Sequence, residues 1–183
     1  MSLVEIAPPD FDVDLALAYA TTDNFTGAAV YRRAGCYLHV DAAACLQRAA
    51  ELAGRHGLRL RIFDAYRPAE AQWVLWSHFP DPDFVADPRS GSPHSRGVAI
   101  DLTLVDAADA ALDMGTGFDD FTTRSHHGCT EVSAAAQRNR YLLMGLMLSA
   151  GWQFFATEWW HYHVVPFDGY PLLSDSVLPR PMM

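Results

Sequence analysis

Hydrophobic residues recur at helical spacing in two long stretches of the chain. In residues 41–56, Ala and Leu repeat every three or four positions behind Asp41, which can cap a helix, and Gly57 can end it. Residues 133–151 show the clearest pattern of this kind, with Ser133 as a second candidate cap. We therefore predict a helix in each stretch.

Three shorter stretches have patterns that are typical of strands. In residues 58–65, leucine and isoleucine alternate with arginine, which is the period of a strand with one buried face. Residues 97–105 are mostly apolar, and residues 159–165 are aromatic and β-branched, so both favour a strand as well.

Pro68 marks a corner in the chain just after the first predicted strand. Helix is disfavoured at the residue before a proline, whereas proline itself suits a first helical turn. Arg67 should therefore separate this strand from a helix that runs to about His78. Because strands and helices are interspersed without a regular βαβ rhythm, the order of elements favours an α+β fold.

Length and composition are typical of one compact, ordered domain. The chain has 183 residues, of which 50% are hydrophobic, so it can bury one core but is short for two. We expect residues 1–183 to form a single domain without repeats or low-complexity tracts. The three cysteines form no CxxC pair, which favours buried free thiols over a disulfide framework or a zinc knuckle.

The charge balance argues against polyanionic partners. Acidic residues outnumber basic ones by 22 to 13, and the formal charge of −9 repels nucleic acid. The N-terminal residues do not resemble a secretory signal, and the longest apolar run, residues 141–152, is shorter than the roughly 20 residues that cross a bilayer. We expect a cytoplasmic protein without nucleic-acid or membrane partners, and the oligomeric state stays open, a homo-oligomer included.

Two histidines and an aspartate are candidate metal ligands. His94 and Asp101 lie seven positions apart, and His161 belongs to a second cluster in residues 158–163. Zinc in a hydrolase takes three such protein ligands and keeps one position for water. Each residue also has a structural interpretation, either as a hydrogen-bonded core histidine or as a carboxylate in an ion pair. Asp101 lies between two apolar residues, where a charge is costly unless a cation is close.

The local pattern does not distinguish His161 from His163. Both side chains project from the same face of a straight strand, so a ligand pair is geometrically allowed. Glu158 is at odd spacing from His161 and would face the other side of such a strand. If Glu158 and His161 share one site, the strand must bend or bulge at the two tryptophans between them.

Several motifs resemble those of the zinc D-alanyl-D-alanine dipeptidases. The most specific are the paired sequences Ser92-x-His94-x-x-Gly97-x-Ala99-x-Asp101 and Glu158-Trp159-Trp160-His161. The resemblance extends through residues 19–27, 64–68, 113–119 and 124–127. It implies the small α+β fold that zinc D,D-peptidases share with the hedgehog signalling domain, with a central antiparallel sheet flanked by helices.

This resemblance also implies which residues hold the metal. His94, Asp101 and His161 match the family's ligands to a single Zn²⁺ ion, and Glu158 matches its general base. His163 is then an additional histidine, which we interpret as a structural residue or as support for the ligands.

The resemblance assigns further residues to the substrate. Arg67 matches the residue that stabilises the developing oxyanion, although without the family match an ion pair with Asp64 would be the favoured interpretation. Asp119 matches the family's ammonium-binding aspartate, and Ser92 and Tyr19 match substrate-side positions. His126 and His127 match a family motif but suggest no chemical role.

The implied reaction is hydrolysis of D-Ala-D-Ala to two D-alanines by a water that zinc and Glu158 activate. One alternative is a D,D-carboxypeptidase acting on longer muropeptides, which would need an open cleft instead of an ammonium-binding carboxylate. A second is a non-haem iron oxygenase, because two histidines and a carboxylate form a facial triad, but this leaves Glu158 unexplained. A third is a metal-stabilised binding module, which would need neither Glu158 nor Arg67.

Overall fold

The computed structural model of the chain describes residues 3–183, which form seven strands and three α-helices. The strands are β1 (Leu3–Glu5), β2 (Val13–Leu15), β3 (Tyr37–His39), β4 (Arg59–Asp64), β5 (Ala99–Val105), β6 (Gln153–Phe155) and β7 (Glu158–His163). The helices are α1 (Val40–Arg55), α2 (Ala69–His78) and α3 (Ala134–Ser149). No helix within residues 3–183 combines the length and apolar character needed to cross a bilayer.

Five strands form the central sheet in the order β2-β4-β5-β7-β6. Neighbouring strands from β4 to β6 in this order pair antiparallel, as predicted, whereas the edge strand β2 runs parallel to β4. Strands β1 and β3 form a separate antiparallel pair. The fold is therefore α+β, as predicted, with one parallel strand pair that the sequence did not indicate.

The predicted elements agree with the observed ones to within a few residues at their ends. The three predicted helices are α1, α2 and α3, and α2 ends at His78 as expected. The three predicted strands are β4, β5 and β7. Strands β1, β2, β3 and β6 were not predicted, because each has only three residues and so carries too few alternating positions to be recognised.

The cap of α1 differs from the prediction. His39, not Asp41, is the N-cap, and its Nδ1 accepts a hydrogen bond from the backbone N–H of Asp41 at 3.3 Å. Asp41 lies in the first turn, where its negative charge interacts favourably with the positive end of the helix dipole. Helix α3 begins as predicted, because Ser133 Oγ accepts from the backbone N–H of Ala136 at 3.0 Å. All three cysteines are free thiols, two of them buried as expected and Cys129 partly exposed.

The main hydrophobic core covers one face of the central sheet. Ile100, Leu102 and Leu104 of β5 belong to this core and are fully buried. Since successive residues of a strand point to opposite faces, Asp101 and Thr103 lie on the other face. Strand β5 therefore divides the apolar core from a polar site.

Helix α3 carries a buried arginine that holds the loop leading into the helix. Arg140 Nε donates to the carbonyl of Met114 at 2.6 Å, and Nη1 donates to the carbonyls of Arg124 at 2.9 Å and His126 at 3.0 Å. The guanidinium carbon lies 6.0 Å from the ring centroid of Trp159 in β7. Because the side chain is only 1% exposed, these bonds are shielded from water and fix the loop against α3.

Replacement of this arginine should destabilise the fold. We expect Arg140→Met to lower the free energy of unfolding by about 3 kcal/mol, because three carbonyls lose a charged donor. Arg138→Met is the matched control, since Arg138 is exposed on the same helix, and it should change the free energy by no more than about 0.5 kcal/mol. Urea unfolding followed by tryptophan fluorescence measures both, and equal values would contradict the assigned role of Arg140.

Candidate functional site

Three predicted ligands converge on one point. A nitrogen or carboxylate oxygen from each of His94, Asp101 and His161 lies within 4.8 Å of the others, and all three residues are buried. His161 Nδ1 is 3.1 Å from His94 Nε2 and 3.1 Å from Asp101 Oδ1, and His94 Nε2 is 3.3 Å from Asp101 Oδ2. Atoms that bind a tetrahedral zinc ion at about 2.0–2.2 Å lie roughly 3.3–3.6 Å apart. The group therefore has nearly the spacing that such an ion requires.

A short 3₁₀ turn before β5 orients His94. Ser92 Oγ accepts from the backbone N–H of His94 at 3.2 Å, and His94 Nδ1 donates to the carbonyl of Ala65 at 2.7 Å. With Nδ1 occupied, Nε2 faces the other two ligands. Gly97 ends the turn with φ +72°, a backbone conformation that favours glycine, and the chain then enters β5.

The register between β5 and β7 brings the other two ligands together. Asp101 pairs directly with His161, and Ala99 pairs with His163. Residues opposite each other in an antiparallel pair project to the same face, so Asp101 and His161 meet on the side away from the core. The ring of His163 lies 5.4 Å from that of His161, but His163 is not part of the three-residue group.

Strand β7 has the irregularity that a shared site for Glu158 and His161 requires. Phe154 of β6 pairs with Tyr162, but the next residue, Phe155, pairs with Glu158, so residues 159–161 have no partner in β6. Glu158 Oε2 is 3.9 Å from His161 Nδ1. The predicted bend at the two tryptophans is thus confirmed.

Glu158 has a buried carboxyl group whose pKa is raised. Burial raises the pKa of Glu158 well above its usual value, the charges of Asp101 and Asp119 raise it further, and Arg67 opposes them. A carboxylate with a raised pKa accepts a proton more readily near neutral pH. This is the property that a general base in a hydrolase needs.

Each of the three guanidinium nitrogens of Arg67 donates a hydrogen bond. Nε donates to Asp64 Oδ2 at 2.8 Å, Nη1 to Gln72 Oε1 at 3.0 Å and Nη2 to Asp101 Oδ2 at 3.4 Å. The guanidinium carbon is 5.1 Å from the ring centroid of Tyr19. The ion pair with Asp64 is therefore present, and the same cation also contacts the predicted ligand Asp101.

Asp119 and Tyr19 form a second polar pair in the site. Tyr19 donates its hydroxyl hydrogen to Asp119 Oδ2 at 2.9 Å. Asp119 has φ +56°, which is uncommon outside glycine and is often maintained at functional sites. Burial and the charge of Asp101 raise the pKa of Asp119 to about 8, whereas the bond from Tyr19 lowers it. A cation beside this carboxyl would favour its charged form.

All predicted site residues line one cavity of about 240 Å³. They are Tyr19, Arg67, Ser92, His94, Asp101, Asp119, Glu158 and His161. Aromatic residues complete the wall, together with His163 and a segment that no sequence motif indicated, residues 82–86. The cavity is smaller than the pockets that usually hold drug-sized molecules, so it suits a small substrate.

His126 and His127 are absent from the lining of this cavity. The carbonyl of His126 accepts from Arg140 Nη1 at 3.0 Å. The ring of His127 packs edge-on against Phe154 at a centroid distance of 5.2 Å, and burial lowers the pKa of His127 to about 4. The ring of His127 therefore packs against β6, whereas His126 contributes its backbone carbonyl to Arg140.

Comparison with known proteins identifies relatives over most of the chain. A protein-family model described as D-ala-D-ala dipeptidase matches residues 2–171. The D-alanyl-D-alanine dipeptidase of Escherichia coli (strain K12) is 47% identical over 174 residues, which cover 95% of this chain and 90% of that protein. The D-alanyl-D-alanine dipeptidase of Enterococcus faecium is 37% identical, covering 84% of this chain and 86% of that protein.

Among solved structures, the vancomycin resistance D,D-pentapeptidase VanY in complex with Zn(II) has a TM-score of 0.49 and 17% identity, covering 73% of this chain and 76% of that chain. The family assignment depends on the sequence matches instead. They extend over nearly the whole chain, and they include a relative at 47% identity. The chain therefore belongs to the D-ala-D-ala dipeptidase family.

Proposed function

We propose that the protein is a zinc dipeptidase that hydrolyses the D,D-dipeptide D-Ala-D-Ala to two molecules of D-alanine. The observation that carries this proposal is the position of Glu158, whose carboxylate is 3.9 Å from His161 in the cavity that also holds Arg67. A purely structural zinc site uses four protein ligands and needs no base. The family relatives are named for the same reaction, which supports the choice of substrate.

His94, Asp101 and His161 would hold one Zn²⁺ ion per chain in this proposal. Two imidazole nitrogens and one carboxylate are the donor set of many catalytic zinc sites. When bound, zinc would polarise the substrate carbonyl and lower the pKa of a water molecule to about 7. Iron(II) accepts the same donors, but an oxygenase would have no use for Glu158.

Glu158 would move the proton in both halves of the reaction. Its carboxylate takes a proton from the attacking water and later gives it to the nitrogen of the leaving amine. Its raised pKa suits both steps, because the group must accept a proton and hold it until the peptide bond breaks.

Arg67 would stabilise the negative charge that develops on the carbonyl oxygen. Its guanidinium is held by Asp64 and Gln72, so little reorganisation is needed when the charge appears. Although burial lowers it, the pKa of Arg67 is kept well above its usual value by neighbouring groups, first among them Asp64. The cation is therefore permanent.

Asp119 would bind the ammonium group of the substrate, with Tyr19 orienting the carboxylate and Ser92 on the substrate side of the cavity. A dipeptide carries its ammonium close to the scissile bond, whereas a longer muropeptide has none there. A buried carboxylate at this position favours the dipeptide over the D,D-carboxypeptidase alternative.

We propose further that the protein is cytoplasmic and acts without nucleic-acid or membrane partners. In this proposal residues 1–183 form one catalytic domain.

Removal of the metal should abolish activity. We expect chelator-treated protein to release no D-alanine from D-Ala-D-Ala and added Zn²⁺ to restore the release, because the carbonyl would lose its Lewis acid. His161→Ala is the control, since zinc should fail to restore a protein that lacks one ligand. Full activity after verified removal of all metal would contradict a zinc mechanism.

Replacement of the proposed base should separate catalysis from metal binding. We expect Glu158→Gln to lower kcat by about 10³-fold, because the amide cannot accept the proton of water. The zinc content should stay at one ion per chain, as measured by atomic absorption. Glu131→Gln, at an exposed glutamate, serves as control, and a kcat for Glu158→Gln close to that of this control would exclude Glu158 as base.

Acetylation of the substrate should reveal the role of Asp119. We expect the wild-type protein to cleave D-Ala-D-Ala at least about 100-fold more efficiently, in kcat/KM, than N-acetyl-D-Ala-D-Ala, which has no ammonium. Asp119→Asn should lose most of this preference, because its amide carries no charge. Asp120→Asn changes the neighbouring aspartate and should keep the preference. The assignment fails if both variants discriminate as the wild type does.

A further inference from the structure

Gln72 in α2 is a buried polar residue that contacts both Arg67 and the cavity wall. Its Oε1 accepts from Arg67 Nη1 at 3.0 Å, and its Nε2 donates to the carbonyl of Ala86 at 2.7 Å. The side chain is only 1% exposed. Since one partner is a donor and the other an acceptor, only one orientation of the amide satisfies both.

The wall that Gln72 contacts is residues 81–91, a segment without helix or strand. Residues 82–86 and Gly91 line the cavity. The hydrogen bonds within the segment are local turns, such as those from the backbone of Phe84 and Val85 to the carbonyl of Asp81. Of the hydrogen bonds seen in residues 3–183, the one from Gln72 alone joins this segment to a residue outside 79–91.

The same wall packs against the loop that carries Asp119. The ring centroid of Phe84 is 5.3 Å from that of Phe121, two residues after Asp119. Phe79, at the end of α2, stacks on Phe121 at 5.0 Å. A substrate in the cavity would therefore contact a wall that is connected to Arg67 through Gln72 and to the Asp119 loop through aromatic rings.

We propose that Gln72 is a positioning residue that fixes the guanidinium of Arg67 relative to this wall. The inference rests on the proposed function, in which Arg67 faces the developing oxyanion. Asp64 and Asp101 hold two other nitrogens of the guanidinium, but neither is hydrogen-bonded to residues 81–91. Arg67 already has two carboxylates beside it, those of Asp64 and Asp101. The neutral amide of Gln72 provides the third hydrogen-bond acceptor without adding a third negative charge.

The test compares Gln72→Met with the wild-type protein. Met has a similar size but neither donates nor accepts as an amide does, so both bonds are lost. We expect kcat for D-Ala-D-Ala to fall about tenfold or more, while KM changes by less than about threefold, because Arg67 acts on the transition state. Amide hydrogen exchange in residues 83–86 should become faster in the same variant.

Gln137→Met is the matched control, because Gln137 makes one side-chain bond, to the carbonyl of Val132, and neither residue lines the cavity. It should change neither kcat nor exchange in residues 83–86. Gln72→Glu is a second variant, which keeps an acceptor for Arg67 but loses the amide donor to Ala86. We expect it to speed exchange in the wall as Gln72→Met does, with a smaller loss of kcat.

The two proposals can fail separately. A wild-type protein that releases no D-alanine refutes the proposed function, whereas the exchange measurement still tests the link between Gln72 and the wall. Unchanged exchange in both Gln72 variants, or an unchanged kcat in Gln72→Met, overturns the positioning role. A rise in KM alone also overturns it, because it would place Gln72 in substrate binding. If Gln72→Met does not fold, exchange in Gln72→Glu decides the question.

Discussion

The site depends on one buried carboxylate and the groups that compensate its charge. Asp101 is 2% exposed at the centre of the sheet. Burial by itself would raise its pKa, but the imidazoles of His94 and His161 hold the pKa well below its usual value. Arg67 adds a third compensating group, with Nη2 at 3.4 Å from Asp101 Oδ2. Because an isolated buried charge costs several kcal/mol, the carboxylate is compatible with the fold only where these groups converge.

Two irregularities in the sheet make that convergence geometrically feasible. In β4 one extra residue between Ile62 and Asp64 places Asp64 opposite Asp101, where it can hold Arg67. In β7 the irregular stretch after Glu158 brings that residue and His161 to one cavity. Regular strands would have kept these side chains on alternate faces. The polar site thus depends on deviations from the pattern that builds the core.

The sequence predicted those parts of the molecule whose signal is local. The three helices and three longer strands have enough periodic positions to be recognised, and the candidate metal ligands stand out because they belong to motifs with fixed spacing. Periodicity alone left His161 and His163 undistinguished, and pairing with Asp101 now separates them. Gln72 and its contact with Ala86 had no such signal, because the contact forms between a helix and an irregular segment.

The alternation in β5 also limits how this protein can change. Asp101, at an odd position, faces the polar site, whereas Ile100, Leu102 and Leu104, at even positions, face the apolar core. Inserting or deleting one residue within the strand would therefore turn the residues beyond that point to the opposite face. Loss of a whole codon there is therefore far more damaging than most point substitutions. Residues 81–91 contain no strand, so a change of length there would leave the register of β5 unaltered.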